Sequence, residues 1–240
     1  MAIYAISDLH LSFADPKPMD IFGPVWEDHA EQIRRNWDAI VGPSDVVLIP
    51  GDISWALRFS GARPDLEFIA KRPGRKVLIR GNHDFWWQRR ATARIQRSLG
   101  KGMTFLQGTS VVIDEIGITG TRGWRVDSGL QGAFASQEPA PEVEQSEKIL
   151  RRELAYLENG LRSIPSSVKT RIAMLHYPPF DDRLRPNEFA HMLEKYSVDH
   201  LVYGHVHLGI GNWLTGDVDG VRYQLVSADV VGFKPKLILP

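Results

Sequence analysis

Aspartate, asparagine and histidine recur in this sequence at the ends of short apolar runs. Residues 3–7 lead into Asp8-Leu9-His10, and residues 46–50 into Gly51-Asp52. Residues 77–80 lead into Gly81-Asn82-His83-Asp84, residues 172–175 into His176, and residues 201–203 into Gly204-His205-Val206-His207. Five of the eight histidines stand in these clusters; His29, His191 and His200 do not. Carboxylate oxygen, amide oxygen and imidazole nitrogen are ligands for hard and borderline divalent ions. One carboxylate can bridge two ions roughly 3.5–4 Å apart, the spacing of two-metal hydrolases. Without metal, Asp8 and Asp52 would lie partly desolvated beside one another, at a cost. Two divalent ions would outweigh the charge of these two carboxylates, and the surplus would suit a bound hydroxide and a phosphate anion.

Each cluster taken singly has a plain structural use. Asp-x-His after a strand can be a turn or a cap, Gly51-Asp52 a common turn, and Gly81-Asn82-His83-Asp84 a loop with helix-capping side chains. His176 alone would be a satisfied buried histidine, and His205 with His207 a surface pair. What sets the group apart is recurrence: five separate strand ends carry metal-type side chains, and the carboxyl ends of strands are where open α/β sheets form ligand sites.

The elements that must position these residues alternate. Residues 3–7, 46–49 and 77–79 read as buried strands. Between them, residues 28–41 carry Ala30, Ile33, Trp37 and Ile40 at helical spacing, ended by Gly42-Pro43, and residues 66–70 read as part of a short helix closed by Pro73-Gly74. Trp87, Ala91, Ile95 and Leu99 mark one face of a helix that stops at Gly100. Residues 111–121 hold two strand-like runs around Gly117. Residues 126–141 are rich in turn-forming types without a period and predict a mobile rim loop or lid. Pro141 then opens a helix over about residues 141–163, with Val143, Leu150, Leu154, Leu157, Leu161 and Ile164 in a stripe that packs on the parent domain or serves a homodimer. Residues 172–175 and 201–203 are further strands with a short helix after Pro186 between them, and residues 221–226 and 236–239 close the chain as β structure. This order argues for a layered α/β fold. No repeat or linker appears, so residues 1–240 are expected to form a single domain.

Composition narrows the function classes. The 240 residues are 43% hydrophobic and 24% charged, an ordinary balance for a globular protein. Lysine plus arginine equals aspartate plus glutamate at 29 each, so there is no whole-molecule field for nucleic acid or anionic membrane. With no cysteine, thiolate metal sites, disulfides and a cysteine nucleophile are excluded. No run approaches the roughly 20 apolar residues of a membrane span, and the first residues do not read as a signal peptide. A cytoplasmic protein is the expectation.

The ordered set Asp8-x-His10, Gly51-Asp52, Gly81-Asn82-His83-Asp84, His176 and Gly204-His205-x-His207 resembles the full signature of the calcineurin-like metallophosphoesterases, spanning residues 8 to 207. The resemblance implies an α/β fold of four layers, an αββα sandwich of mixed sheets with the metals at the strand ends. It implies that Asp8, His10, Asp52 and His207 hold one metal and that Asp52, Asn82, His176 and His205 hold the other, Asp52 bridging. His83 would face the substrate and protonate the leaving oxygen or stabilise phosphoryl charge. Asp84 would orient it by accepting its other ring N–H. The implied reaction is hydrolysis of a phosphomonoester or phosphodiester by direct attack of a metal-bridging hydroxide. The ligand types suit two divalent ions, manganese first, with iron, zinc or nickel as alternatives. The expected substrate is a small-molecule phosphate ester. A nuclease or a cyclic nucleotide phosphodiesterase is the alternative enzyme, and an interaction scaffold on the same fold is disfavoured by the complete ligand set. Arg58, Arg80, Arg122 and Arg125 stand near the motifs as phosphate contacts or structural ion pairs. Trp55, Trp86, Trp87 and Trp124 offer an aromatic wall or core packing, and Tyr177-Pro178-Pro179 would stiffen the loop after His176.

Overall fold

A computed structural model describes residues 1–99, 102–124, 143–181, 183–209 and 212–240. The expected rim segment 126–141, Arg125 and the helix opening at Pro141 lie outside the described residues. In chain order the protein builds β1 (Ile3–Ala5), α1 (His29–Ile40), β2 (Val46–Pro50), α2 (Phe59–Ala70), β3 (Arg75–Ile79), α3 (Thr92–Leu99) and β4 (Met103–Leu106). There follow β5 (Ser110–Ile113), β6 (Ile116–Thr121), α4 (Val143–Ser163), β7 (Thr170–Leu175), α5 (Glu188–Lys195), β8 (His200–Tyr203), β9 (Gly216–Val218), β10 (Val221–Leu225) and β11 (Lys236–Leu239).

Two mixed sheets result. The first has the order β11-β1-β2-β3-β4, and the second β5-β6-β7-β8-β10-β9. The strands that end in the sequence motifs all lie in parallel pairs, β1 with β2 and β2 with β3 in one sheet, β7 with β8 in the other. Parallel pairing sends their C-terminal ends to one edge of each sheet. β2 is buried at every position, as a strand covered on both faces must be. Ile3, Val46, Leu48, Val77 and Ile79 of the first sheet meet Ile118, Ile172, Met174 and Val202 of the second in an inter-sheet core. Outside the first sheet, Ile33 and Trp37 of α1, Leu66 and Ile69 of α2 and Ile95 of α3 join a second core. Outside the second sheet, Leu157 and Leu161 of α4 and Phe189 and Leu193 of α5 join a third. The layers are therefore helix, sheet, sheet, helix. Each fully buried large apolar side chain contributes about 1.5–3 kcal/mol by leaving water.

Several local expectations are corrected. The helix expected across Trp87 to Leu99 begins only at Thr92, after a 3-10 turn at Arg89–Ala91. Trp87 precedes it and bonds Thr92 Oγ1 through Nε1 at 2.9 Å. Residues 66–70 are the last part of α2, which starts at Phe59 and carries Pro64 within it. The two runs at 111–121 turn at Asp114 (φ 53), not at Gly117, which sits inside β6 opposite Val112. A Cβ on Gly117 would meet Ile164 at 2.4 Å, so the glycine admits the end of the α4 segment. β4 was not expected at all. Within α4, Leu157 and Leu161 are buried against the second sheet, and Leu150 and Leu154 pack beside them. No helix among the described residues is long and apolar enough to cross a membrane.

Candidate metal centre

The loops after β1 and β2 run side by side. Asp8 N–H donates to Gly51 O (3.0 Å) and His10 N–H to Asp52 O (3.1 Å), so the side chains of both loops are set by shared backbone bonds. Asp8 (φ 56), His10 (φ 46), Asp52 (φ 51) and His205 (φ 71) all take the left-handed conformation. That backbone costs an L-residue of order 1 kcal/mol and clusters at functional sites. Glycine makes room at two points: a Cβ on Gly81 would lie 2.1 Å from Asp52 Oδ1, and one on Gly204 would lie 2.4 Å from Asp8 Oδ2.

All seven expected ligand residues come together. Asp52 Oδ2 lies 3.8 Å from His10 Nε2 and 3.5 Å from His176 Nε2, thus between the two halves of the cluster. Asp8 Oδ1 lies 3.8 Å from His207 Nε2. Asn82 Oδ1 faces His176 Nε2 at 2.6 Å and His205 Nδ1 at 3.0 Å. Two groups have ligand atoms mutually within 4.8 Å: Asp8, His10 and His207, and Asp8, Asp52 and His176. Asp8 belongs to both, as Asp52 touches both, so either carboxylate is central.

The donor set fits divalent ions. Ligand bonds of about 2.0–2.2 Å place neighbouring donors roughly 3 Å apart around an ion when they meet at right angles. The short separations around Asn82 Oδ1 have that size. His176 Nδ1 lies 3.1 Å from Pro50 O, which can only accept, so Nδ1 carries the hydrogen and Nε2 turns a lone pair towards Asn82 Oδ1. Two acceptors facing each other call for a cation between them. Electrostatics agree. Burial, opposed by the His207 charge, pushes the Asp8 carboxyl up to about 6. Burial, then the charges of Asp8 and Asp84, raises Asp52 well above the usual carboxylate range. Burial lowers His10 and His176 well below the imidazole value, keeping them neutral as ligands must be.

His83 N–H donates to Asp52 Oδ1 at 2.8 Å, and its ring lies 4.3 Å from the Trp55 ring, with Nε2 3.9 Å from Asp52 Oδ2. Asp84 does not bond that ring. Its Oδ1 accepts from Ile53 N–H (3.0 Å), Ser54 N–H (3.1 Å) and Trp86 Nε1–H (2.9 Å), and its Oδ2 accepts from Gly81 N–H (2.8 Å). Three donors crowd Oδ1 and one occupies Oδ2, so most of the accepting capacity of this carboxylate is spent on the two loops. Asp84 thus ties the loop after β3 to the loop after β2.

The flanking residues divide. Arg80 and Arg122 follow β3 and β6, and the Nε of each is buried without a hydrogen-bond partner. Arg122 lies over Trp124, 4.8 Å from the ring. Arg58 lines a separate hollow with Trp55 and Leu57. Trp86 and Trp87 are core, whereas Trp55 stacks on the His10 ring at 4.8 Å. Tyr177 lies 4.3 Å from the His205 ring. Asp229, which sequence reading passed over, accepts from His207; the signal was an acidic residue just past a strand, the rule that found the others.

A model of the calcineurin-like phosphoesterases matches residues 1–209, and the chain belongs to that family. It is similar to the Gene 66 protein of Mycobacterium phage D29, 42% identical over 86 residues that cover 34% of this chain and 40% of the relative. The Gene 66 protein of Mycobacterium phage L5 is 40% identical over 78 residues, 32% of this chain and 37% of the relative. The chain therefore spans two fifths or less of the length of these relatives. Among solved structures, phosphopantetheinyl hydrolase from Mycobacterium tuberculosis matches with a TM-score of 0.62 at 17% identity, over 100% of this chain and 96% of that one. GAP50, the anchor in the inner membrane complex of Plasmodium, matches at 0.54 and 10% identity, over 95% and 72%. An enzyme and an anchor thus share this fold, so function has to be argued from the site.

Proposed function

We propose that residues 1–240 act as one dinuclear phosphoesterase domain. Asp8, His10, Asp52 and His207 would hold one divalent ion, and Asp52, Asn82, His176 and His205 the other. The observation that carries this reading is the meeting of Asn82 Oδ1 with His176 Nε2 and His205 Nδ1, at 2.6 and 3.0 Å, beside the shared Asp52 carboxylate. Two ions bound there would bring a water towards a neutral pKa and neutralise phosphoryl oxygens. The chain supplies the rest. Asp52 fixes the His83 backbone and Trp55 borders its ring, and the imidazole would hand a proton to the departing ester oxygen. Arg80 and Arg122, with buried and unpartnered Nε groups, would meet phosphoryl oxygens of the substrate. The substrate is a small phosphate ester, with manganese the first metal to try. The complete donor set speaks against a scaffold role.

The test is metal analysis of reconstituted protein with turnover of bis-p-nitrophenyl phosphate and p-nitrophenyl phosphate. Two ions per chain and hydrolysis of either ester are expected, with Asp52→Asn lowering occupancy and turnover together. A single ion at saturation, or full turnover by Asp52→Asn, would overturn the shared-carboxylate site.

A further inference from the structure

β10 runs parallel to β8, with Leu225 opposite Tyr203. The pairing continues past both strands, because Val226 N–H donates to Tyr203 O at 2.9 Å. The same segment is tied to the end of β1 by Ser7 N–H to Val226 O (2.8 Å) and Ala228 N–H to Ser7 O (2.9 Å). A tight turn follows, held by Val231 N–H to Ser227 O (3.0 Å) and Phe233 N–H to Ala228 O (2.6 Å). These bonds deliver Asp229 behind His207. Asp229 Oδ1 lies 3.0 Å from His207 Nδ1, and Asp229 Oδ2 accepts from Leu208 N–H at 2.9 Å. Asp229 is 3% exposed and His207 2%, so water cannot readily take over either bond.

We infer that Asp229 is a positioning residue of the metal centre: it holds His207 in the Nδ1–H tautomer and aims Nε2 at the ion beside Asp8. The inference rests on the proposed role of His207 as a ligand. A carboxylate can only accept, so Nδ1 must carry the hydrogen, and in the neutral ring Nε2 keeps its lone pair. The second Asp229 oxygen is fixed by Leu208 N–H, so the carboxylate cannot rotate away without breaking a backbone bond. Asp229 lies beyond residue 209, where the family match ends, so this chain completes the centre with a residue outside the matched region.

Asparagine is the discriminating substitution. Two N–H groups point at residue 229, and an amide offers one acceptor and one donor. If its oxygen faces His207, the amide NH2 meets Leu208 N–H. If its NH2 faces His207, Nδ1 must accept, Nε2 takes the hydrogen, and the ring can no longer ligate. Outer carboxylates of this kind are worth about 10–100-fold in metal affinity.

The experiment uses the full chain with zinc as the probe, measuring binding by competition with a chromophoric chelator in wild type, Asp229→Asn, Asp229→Ala and His207→Gln. Long-range ¹H–¹⁵N spectra of the imidazoles report the His207 tautomer at alkaline pH, with and without zinc. Expected are an Nδ1–H tautomer in wild type, its loss in Asp229→Asn, and one of two sites weakened about 10–100-fold in that variant. If His207→Gln weakens a site while Asp229→Asn binds as wild type does and keeps the tautomer, the role of Asp229 is overturned. If His207→Gln itself binds like wild type, the ligand reading beneath it fails instead. Should the Asp229 variants not fold, an Nε2–H tautomer in the wild-type protein would overturn the inference alone.

Discussion

Replacing Asp8 by asparagine should stabilise the protein without metal and destabilise it with metal. In the metal-free protein, burial holds the Asp8 carboxyl at about 6 against 3.8 for the ordinary group. The folded-state value is raised, so the sign is as follows. Below about pH 3.8 both states are protonated and Asp8 contributes nothing. Between the two values the unfolded chain releases its proton while the folded chain keeps it, so stability falls as pH rises, and above about 6 the whole loss is in force. At about 1.4 kcal/mol for each of roughly two pK units, the loss at neutral pH is about 3 kcal/mol. Asparagine is the same size and its Oδ1 can still accept from Ser7 Oγ and His205 N–H, the present partners of the carboxylate. It carries no charge, and removing that charge also eases the ionisation of Asp52. For a chain of this length the gain corresponds to roughly 6–12 °C in Tm. Thermal unfolding of Asp8→Asn and wild type in chelator at about pH 7.5 should show it, and at about pH 5 the gap should shrink to about half. In excess metal the order should reverse. Ligand at 1,000 times its Kd adds about 4 kcal/mol, and the variant binds more weakly at the ion next to Asp8. A variant no more stable than wild type in chelator at about pH 7.5 would refute the claim that the bare carboxylates are strained.

Gly81→Ala puts a Cβ 2.1 Å from Asp52 Oδ1 and 2.2 Å from Asp52 N, so the loops after β2 and β3 must separate. A displacement of about 1 Å at a reacting centre costs on the order of 10²-fold, and both metal content and turnover should fall; wild-type affinity in this variant would show the loops to be adaptable. His83→Ala should keep both metals. If His83 protonates the leaving oxygen, the loss should be small for p-nitrophenyl esters and about 10²–10⁴-fold for alkyl esters. Equal losses for both would move His83 to stabilising phosphoryl charge. Asp84→Ala leaves Gly81, Ile53 and Ser54 N–H and Trp86 Nε1–H without their acceptor. About 1–3 kcal/mol per unsatisfied buried group should appear as lost stability in the metal-free protein, a loss that a role confined to orienting His83 would not produce.

Much of the site was legible because it is local. An apolar run of strand length followed by a turn carrying Asp, Asn or His is visible in any single stretch, and parallel strands bring such ends to one edge. Donor types and the layered α/β class follow from that pattern, whereas the choice of seven candidate ligands and the sharpening to four layers came from the resemblance of the ordered motif set to the family. Boundaries were less legible where two signals compete. Gly61 and Pro64 mask the first half of α2 because both read as breakers, and Gly117 reads as a turn although β6 needs it to admit Ile164. Met103–Leu106 alternates too briefly to stand out, yet pairing with β3 makes it a strand.

Which donors meet was decided by the tertiary structure alone. Asn82 lies 94 residues from His176 and 123 from His205, in the other sheet, and only the packing of the two sheets across their shared core brings these three atoms together. Side-chain partners behaved likewise. Asp84 follows His83 in sequence, but a carboxylate bonds whichever donors surround it, and those are three backbone N–H groups and Trp86. Asp229, 22 residues from His207, meets its ring because β10 lies beside β8. Sequence determines what each strand end can offer; the register and stacking of the sheets determine which offers converge, since hydrogen-bond partnership depends on distance through space and not along the chain.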